Sequence, residues 1–279
     1  MQRLHDFRIY YNHTIHPELL RLERRRKRLV RFLFGSVLLI IGILLLEFYI
    51  NIFSITFLLM VLIGFFVMYL LYLIRQFVID FKPRVVNLIL DFIDNGVNFG
   101  TLQYDPKKLI DKKTFLSSKI FVTKAPQYSG EDYISGKIGT LDFQLCELNV
   151  REYSKVRNRL NYVFKGIFMK SQFHNSIHGS LLILPVEFRQ YLSRTVKAFS
   201  KQGGQLVESE IHNPVFEEHF MTYATPDVFI AGVLSPDMQD AIVDYKLKTG
   251  KEVYISFVDN NIFLAITCLL YTSPSPRDS

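Results

Sequence analysis

The sequence predicts an α+β protein: an N-terminal transmembrane helical hairpin followed by a soluble domain on a mostly antiparallel sheet. Three observations predict it. Residues 32–74 run almost without charge, arginine-rich flanks bracket that run, and beyond about residue 116 the apolar pattern changes from helical spacing to alternation.

The composition becomes informative once the chain is divided. Residues 1–31 hold nine basic side chains against Asp6, Glu18 and Glu23, and residues 32–74 hold a single charge, Glu47. Of the formal +7, the head therefore supplies +6 and Glu47 −1, leaving +2 for the remaining 205 residues. The pI of 9.2 belongs to the head, and the nearly neutral body lacks the broad basic face of a nucleic-acid binder. Two cysteines, Cys146 and Cys268, are too few for a disulfide framework.

As one straight helix, residues 32–74 would extend about 64 Å, twice the hydrocarbon thickness of a bilayer. A break near residues 47–54, where Glu47 and Asn51 cluster, gives two spans over about 30–46 and 55–74. A carboxylate at mid-bilayer costs about 2.5–3.5 kcal/mol, so Glu47 is expected at the far interface beside Phe48 and Tyr49. Positive charge flanks both ends, which predicts a multi-pass cell-membrane protein with N- and C-termini cytoplasmic. A cleaved signal peptide fits poorly: the leader is long, no small-x-small site follows, and a second span comes at once. Two buried core helices fit poorly too, since neither span shows a polar face. The spans contain no ionisable pair, so they read as an anchor and not a transport pathway.

The basic segment over 1–31 places Arg21, Arg24, Arg25, Arg26, Lys27, Arg28 and Arg31 as expected membrane-surface contacts, with the anionic inner leaflet as partner. Residues 18–31 are compatible with a helix lying on that leaflet, or with charges that only enforce topology.

Residues 75–115 read as a helical linker: Val85, Val86, Ile89, Leu90 and Ile93 have helical spacing, Asn95-Gly96 supplies a stop, and Tyr104–Phe115 is mixed. An α+β cytoplasmic domain is expected over 116–267. Tyr133–Ile138 and Leu141–Val150 flank a Gly139-Thr140 turn, with Leu141, Phe143, Leu145 and Glu147 on one side and Cys146 on the other. Residues 162–173 and 179–184 suggest a second hairpin around HNSIHG, and 205–208 and 219–225 are further strands. Ser235, Pro236 and Gly250 bound a helix with Met238, Ala241, Ile242 and Tyr245 as its stripe, and a last hairpin spans 251–266.

Four stretches, GEDYISGKIGTLDFQLCEL (130–148), FKGIFMKSQFHNSIHGSLLILP (164–185), NPVFEEHFMTYATPDVFIAGVLSPDM (213–238) and GKEVYISFVDNNIFLAI (250–266), carry a family likeness. In order and spacing the chain resembles the bacterial domain-of-unknown-function family numbered 3137 over roughly residues 75–266. The resemblance implies a paired hydrophobic segment upstream and brings no activity, cofactor or catalytic residue. The final CLLYTSPSPRDS resembles translated library-adaptor sequence, so residues 268–279 are expected to be non-native, with the native C-terminus missing.

The sequence offers little catalytic chemistry. Gly130 to Gly136-Lys137 is one residue too long for a phosphate loop, and Ile138 stands where Ser or Thr would hold Mg²⁺. His174 and His178 flank a loop, with His212 and His219 further on, and nothing completes a metal set. Asp237, Asp240 and Asp244 read as a solvent face, and Glu217-Glu218 and Glu131-Asp132 as turn or helix-start charges. A strand Cys146 reads as packing and not as a nucleophile. No cofactor, metal or catalytic residue is expected. The leading expectation is a tethered interaction or regulatory module, with possible homo-oligomer formation and an unknown protein partner. The alternatives are a tethered enzyme with a site assembled from scattered residues, and a pore or transporter subunit.

Overall fold

The computed structural model describes residues 2–50, 53–94, 98–154, 158–172, 177–188, 193–207, 211 and 213–268. The chain divides into two compact units, Met1–Asn95 and Gly96–Ser279.

The first unit is helical. Helix α1 (Gln2–Tyr10) continues through a π-helical turn (Tyr11–Ile15) into α2 (His16–Ile50), and α3 (Phe53–Ile93) runs back. At about 1.5 Å per residue these two long helices extend about 52 and 62 Å. The basic segment and the first apolar span are thus one continuous helix. The burial pattern gives its reason. From Ile15 at the end of the π-helical turn, Leu22, Leu29 and Ser36 of α2 are buried at seven-residue spacing, and in α3 Leu70 and Phe77 repeat it. A 3.5-residue repeat of this kind is the seam of a two-helix coiled coil. Leu22, Leu29, Leu70 and Phe77 form its centre, with Leu73, Ile74 and Val85 packed against them. Glu47's side chain, the turn residues 51–52 and Asn95-Gly96 lie outside the described residues.

The second unit holds one nine-stranded sheet, ordered β1-β2-β3-β4-β9-β8-β5-β7-β6, in which every pairing is antiparallel. The strands are β1 (Phe99–Asp105), β2 (Gln127–Ile138), β3 (Leu141–Ser154), β4 (Arg159–Gln172), β5 (Ser180–Pro185), β6 (Gln205–Leu206), β7 (Phe220–Ala224), β8 (Val253–Val258) and β9 (Asn261–Thr267). Between them lie α4 (Lys112–Ser117), a 3-10 turn (Val186–Phe188), α5 (Ser193–Ser200), α6 (Pro214–His219), α7 (Ile230–Val233) and α8 (Pro236–Thr249).

Two cores sit on opposite faces of the sheet. One gathers Phe115, Phe121, Cys146, Leu148, Phe164, Phe168 and Phe263; the other gathers Ile211, Phe216, Leu234, Ile242 and Val243. The central strands feed both. In β5, Leu182 and Leu184 face the first core and Leu181 and Ile183 the second; in β8, Tyr254 and Val258 oppose Val253, Ile255 and Phe257. Double coverage explains why SLLILP and VYISFV are almost continuously apolar.

Three expectations are corrected. The helical linker over 75–115 ends at Ile93, because Leu102 and Tyr104 alternate inward against exposed Thr101, Gln103 and Asp105 and form β1. The second hairpin does not exist as a pair: β4 bonds β3 and β9, while β5 bonds β7 and β8. The later β8–β9 hairpin, which matches the expected last one, inserts between them. In β3 the face carrying Cys146, Leu148 and Val150 packs the main core, in line with the reading of Cys146 as packing. In α8 the buried stripe is Gln239, Ile242, Val243 and Lys246, rotated from the expected one. The β2–β3 hairpin and the bounds of α8 match the reading, with Ile138 opposite Leu141, Ser235 accepting from Met238 N and Gly250 left-handed.

Candidate functional site

The basic residues of α2 form a collar on the helical hairpin. Arg21, Arg24, Arg25, Arg26, Lys27, Arg28 and Arg31 are all exposed. Arg21 pairs with Glu18 at 3.3 Å and Lys27 with Glu23 at 2.9 Å, contacts within one helix that are worth little in water. Lys27 and Arg26 hold the Glu23 carboxyl below its ordinary range, the hydrogen bond from Lys27 being the largest cause. Arg24 and Arg31 turn Nε back to the Leu20 and Lys27 carbonyls, at 3.3 and 3.4 Å. The Arg25 guanidinium lies 6.0 Å from the Phe77 ring centroid on α3. Near that end Arg84 reaches Glu18 at 3.7 Å, Tyr10 donates to the Leu88 carbonyl at 3.2 Å, and Tyr10 and Phe92 rings lie 5.1 Å apart. Next to the collar, each helix has a stretch long and apolar enough to cross a membrane, and only 11% and 6% of the most apolar windows are buried. A core helix of a soluble protein would bury most of such a window.

Within the sheet unit three features carry polar chemistry. At the β2 bulge, where Asp132 has φ +59°, the ligand atoms of Glu131, Asp132 and Glu147 lie within 4.8 Å of one another. Tyr104 donates its hydroxyl to Asp132 Oδ1 at 2.5 Å, and burial, then that hydrogen bond, raises the phenol pKa so that it remains a donor. Solvated acidic groups of this kind need no cation, and the cluster reads as a bulge restrained by Tyr104. Beside it, an open cleft of about 470 Å³ crosses β1–β4, lined chiefly by polar side chains such as Gln103, Gln144, Lys170 and Gln172.

The third feature is a charge cluster around a buried lysine. Lys246, on the inner stripe of α8, is 7% exposed and places Nζ 3.3 Å from Glu187 Oε1 and 3.4 Å from Glu252 Oε2, with the Phe220 ring 5.3 Å away. Burial, and then the hydrogen bond with Glu187, raise the Glu252 carboxyl to about 7. Glu187 moves the opposite way, its carboxyl lowered chiefly by the hydrogen bond with Glu252. Sequence reading missed this cluster because its members come from the 3-10 turn, α8 and the approach to β8. The only signal was a lysine at heptad distance from Gln239 on an otherwise inward stripe.

The other candidates resolve simply. Gly130 and Gly136 lie in β2, where an added Cβ would meet Glu147 O at 2.4 Å and Leu102 Cδ2 at 2.7 Å; close packing explains them, not phosphate binding. Cys146 is fully buried and accepts from Ile110 N at 3.3 Å, and burial pushes its thiol up to about 11, so it is no nucleophile. His178 is exposed and His219 half-buried, whereas His174 and His212 lie outside the described residues. Asp237, Asp240 and Asp244 are exposed on α8.

Residues 162–269, from β4 to just past β9, match the family described as Protein of unknown function (DUF3137). Over these residues the chain resembles that family, and the match covers less than half of its length. Three of the four recognised stretches fall inside the DUF3137 match, and 130–148 lies upstream of it. No curated protein and no solved structure matches the chain.

Proposed function

We propose that this protein belongs to DUF3137 and is a membrane-anchored interaction or regulatory module without catalysis. The hairpin α2–α3 crosses the bilayer twice, the basic collar lies on the cytoplasmic side, and the sheet unit is cytoplasmic. The observation that carries the reading is the pair of adjacent, apolar, almost unburied helix windows, joined to arginines at one end only. The charge asymmetry supports both termini inside, since the two helices enter and leave at the collar.

The test combines two measurements on the full chain. After carbonate washing and ultracentrifugation the protein is expected in the membrane pellet; recovery in the aqueous fraction ends the anchoring reading. In inside-out vesicles protease is expected to digest the sheet unit, and intact cells to protect it; protection in both preparations overturns the orientation.

A tethered enzyme is the second reading, favoured by the perturbed Glu187–Lys246–Glu252 cluster. None of these residues lines the cleft over β1–β4, which separates the perturbed groups from that concave surface.

A further inference from the structure

The register of the hairpin sets two groups of side chains at one height. Glu18 against Arg84, Arg25 over Phe77 and Tyr10 on Phe92 place Arg31 level with Leu71 and Arg21 level with Phe81. Residues 18–31 and 71–84 together hold ten cationic side chains against Glu18, Glu23 and Asp80. Among these cations α3 exposes Val78 at 65%, Ile79 at 51% and Phe81 at 41%. The seam cannot take them, because Leu22, Leu29, Leu70 and Phe77 already fill it.

This mixture suits neither environment alone. Arginines at this density are costly in hydrocarbon, and a row of exposed Val, Ile and Phe is costly in water. It suits the boundary between acyl chains and headgroups, where long cationic side chains reach the phosphates and apolar ones dip below them. The uncharged parts, 32–46 in α2 and 53–70 in α3, start where the belt stops; 53–70 extends about 27 Å, close to the hydrocarbon thickness.

We infer that this two-helix belt, Arg21–Arg31 of α2 with Arg75, Val78, Ile79 and Phe81 of α3, is a binding surface selective for anionic phospholipid headgroups. Guanidinium pairs with phosphate in a bidentate fork, and a net positive belt enriches negatively charged lipid over zwitterionic lipid. The inference rests on the anchored reading and adds to it a lipid class and the contribution of α3.

The chain contains no tryptophan, so one introduced indole reports alone. Full-length Val78→Trp and, as a control within the span, Leu62→Trp are reconstituted into vesicles carrying about 30 mol% of either brominated phosphatidylglycerol or brominated phosphatidylcholine. Trp at 62 is expected to be quenched equally by both lipids. Trp at 78 is expected to be quenched about two-fold more by the anionic lipid, with the preference lost in about 0.5 M salt. It is also expected to be lost in the triple variant Arg24→Gln, Arg26→Gln, Arg28→Gln. Absence of quenching at 62 overturns the anchoring itself. Quenching at 62 together with equal quenching at 78 by the two lipids overturns the selectivity. Quenching at 62 with none at 78 assigns the belt to a protein partner and overturns the lipid surface.

Discussion

Arg84 and Glu18 meet at 3.7 Å across the helical hairpin, and this contact fixes the height of α2 against α3. Their side chains are 48% and 25% exposed, so the pair contributes at most about 1 kcal/mol. Its value is as a marker of register, while the buried Leu22–Leu29 seam supplies the packing. With Cys268 replaced by Ser, cysteines introduced at 18 and 84 are expected to be joined within one polypeptide by a short bismaleimide, giving no change in mass on a denaturing gel beyond the linker. Exclusively intermolecular dimers would instead assign the pairing to two copies of the chain.

Cys146 gives a second prediction. Its fully buried thiol, raised to about 11, is almost entirely protonated at neutral pH and shielded from reagent. Alkylation of the folded protein near pH 7.5 is expected to modify Cys268 and leave Cys146 intact, with both modified in denaturant. Peptide mapping by mass spectrometry reads the result directly. Rapid native labelling of Cys146 would show that the core around Phe168 and Phe263 opens readily.

The Glu252 carboxyl predicts a pH dependence of stability. Its folded pKa of about 7 stands above the ordinary value of 4.5, so folding favours the protonated form. That contribution is complete below about pH 4.5 and is lost as pH rises through about 7; for Glu187, held low, the sign is opposite. Between pH 5 and 8 the thermal midpoint of the full chain in detergent is expected to fall, by an amount corresponding to about 1–3 kcal/mol. Glu252→Gln is expected to flatten this slope. Lys246→Met is expected to steepen it, because the largely buried Glu252 carboxyl then loses its cation. An unchanged slope in both variants rules out the cluster as its origin.

What the sequence displayed and what it hid divide along the range of the interactions. The caps of α8 were legible because they are local: Ser235 accepts from Met238 N at 3.4 Å and Gly250 takes φ +63°. The β2–β3 turn was legible for the same reason, with Gly139 at φ +60°. The β4–β5 pairing was misread because β9, which takes the place beside β4, arrives after β5, α6, β7 and α8. Only the global sheet order decides that, and no local pattern encodes it. Lys246 broke the apolar stripe of α8, so the stripe was assigned to Met238, Ala241 and Tyr245 instead. The charge cluster vanished with it. The heptad of α2 was masked in turn, since Leu22 and Leu29 are embedded among arginines.

The α8 caps carry a prediction of their own. Ser235→Ala removes the acceptor for Met238 N and is expected to cost about 1 kcal/mol. Gly250→Ala forces a side chain into the left-handed region and is expected to cost about 1–2 kcal/mol, although open space surrounds it. Denaturant midpoints of the two variants and their double mutant are expected to add, because the substitutions sit at opposite ends of the helix.

Gly166 is a different kind of glycine. It lies in β4 opposite Thr267, with a φ any residue adopts, yet an added Cβ would stand 2.0 Å from the Ile266 carbonyl oxygen and 2.9 Å from Thr267 Cα. Those neighbours are backbone, so the strands themselves must part, and the β4–β9 pairing joins the two halves of the sheet. Gly166→Ala is therefore expected to cost more than Gly250→Ala, about 2–3 kcal/mol. It is also expected to release the Cys268 N–H that bonds the Lys165 carbonyl at 3.1 Å, raising amide exchange at 266–268 while leaving β2–β3 protected. A cost below that of Gly250→Ala, or exchange that rises evenly across the sheet, would mean that β4 and β9 yield to the methyl without separating.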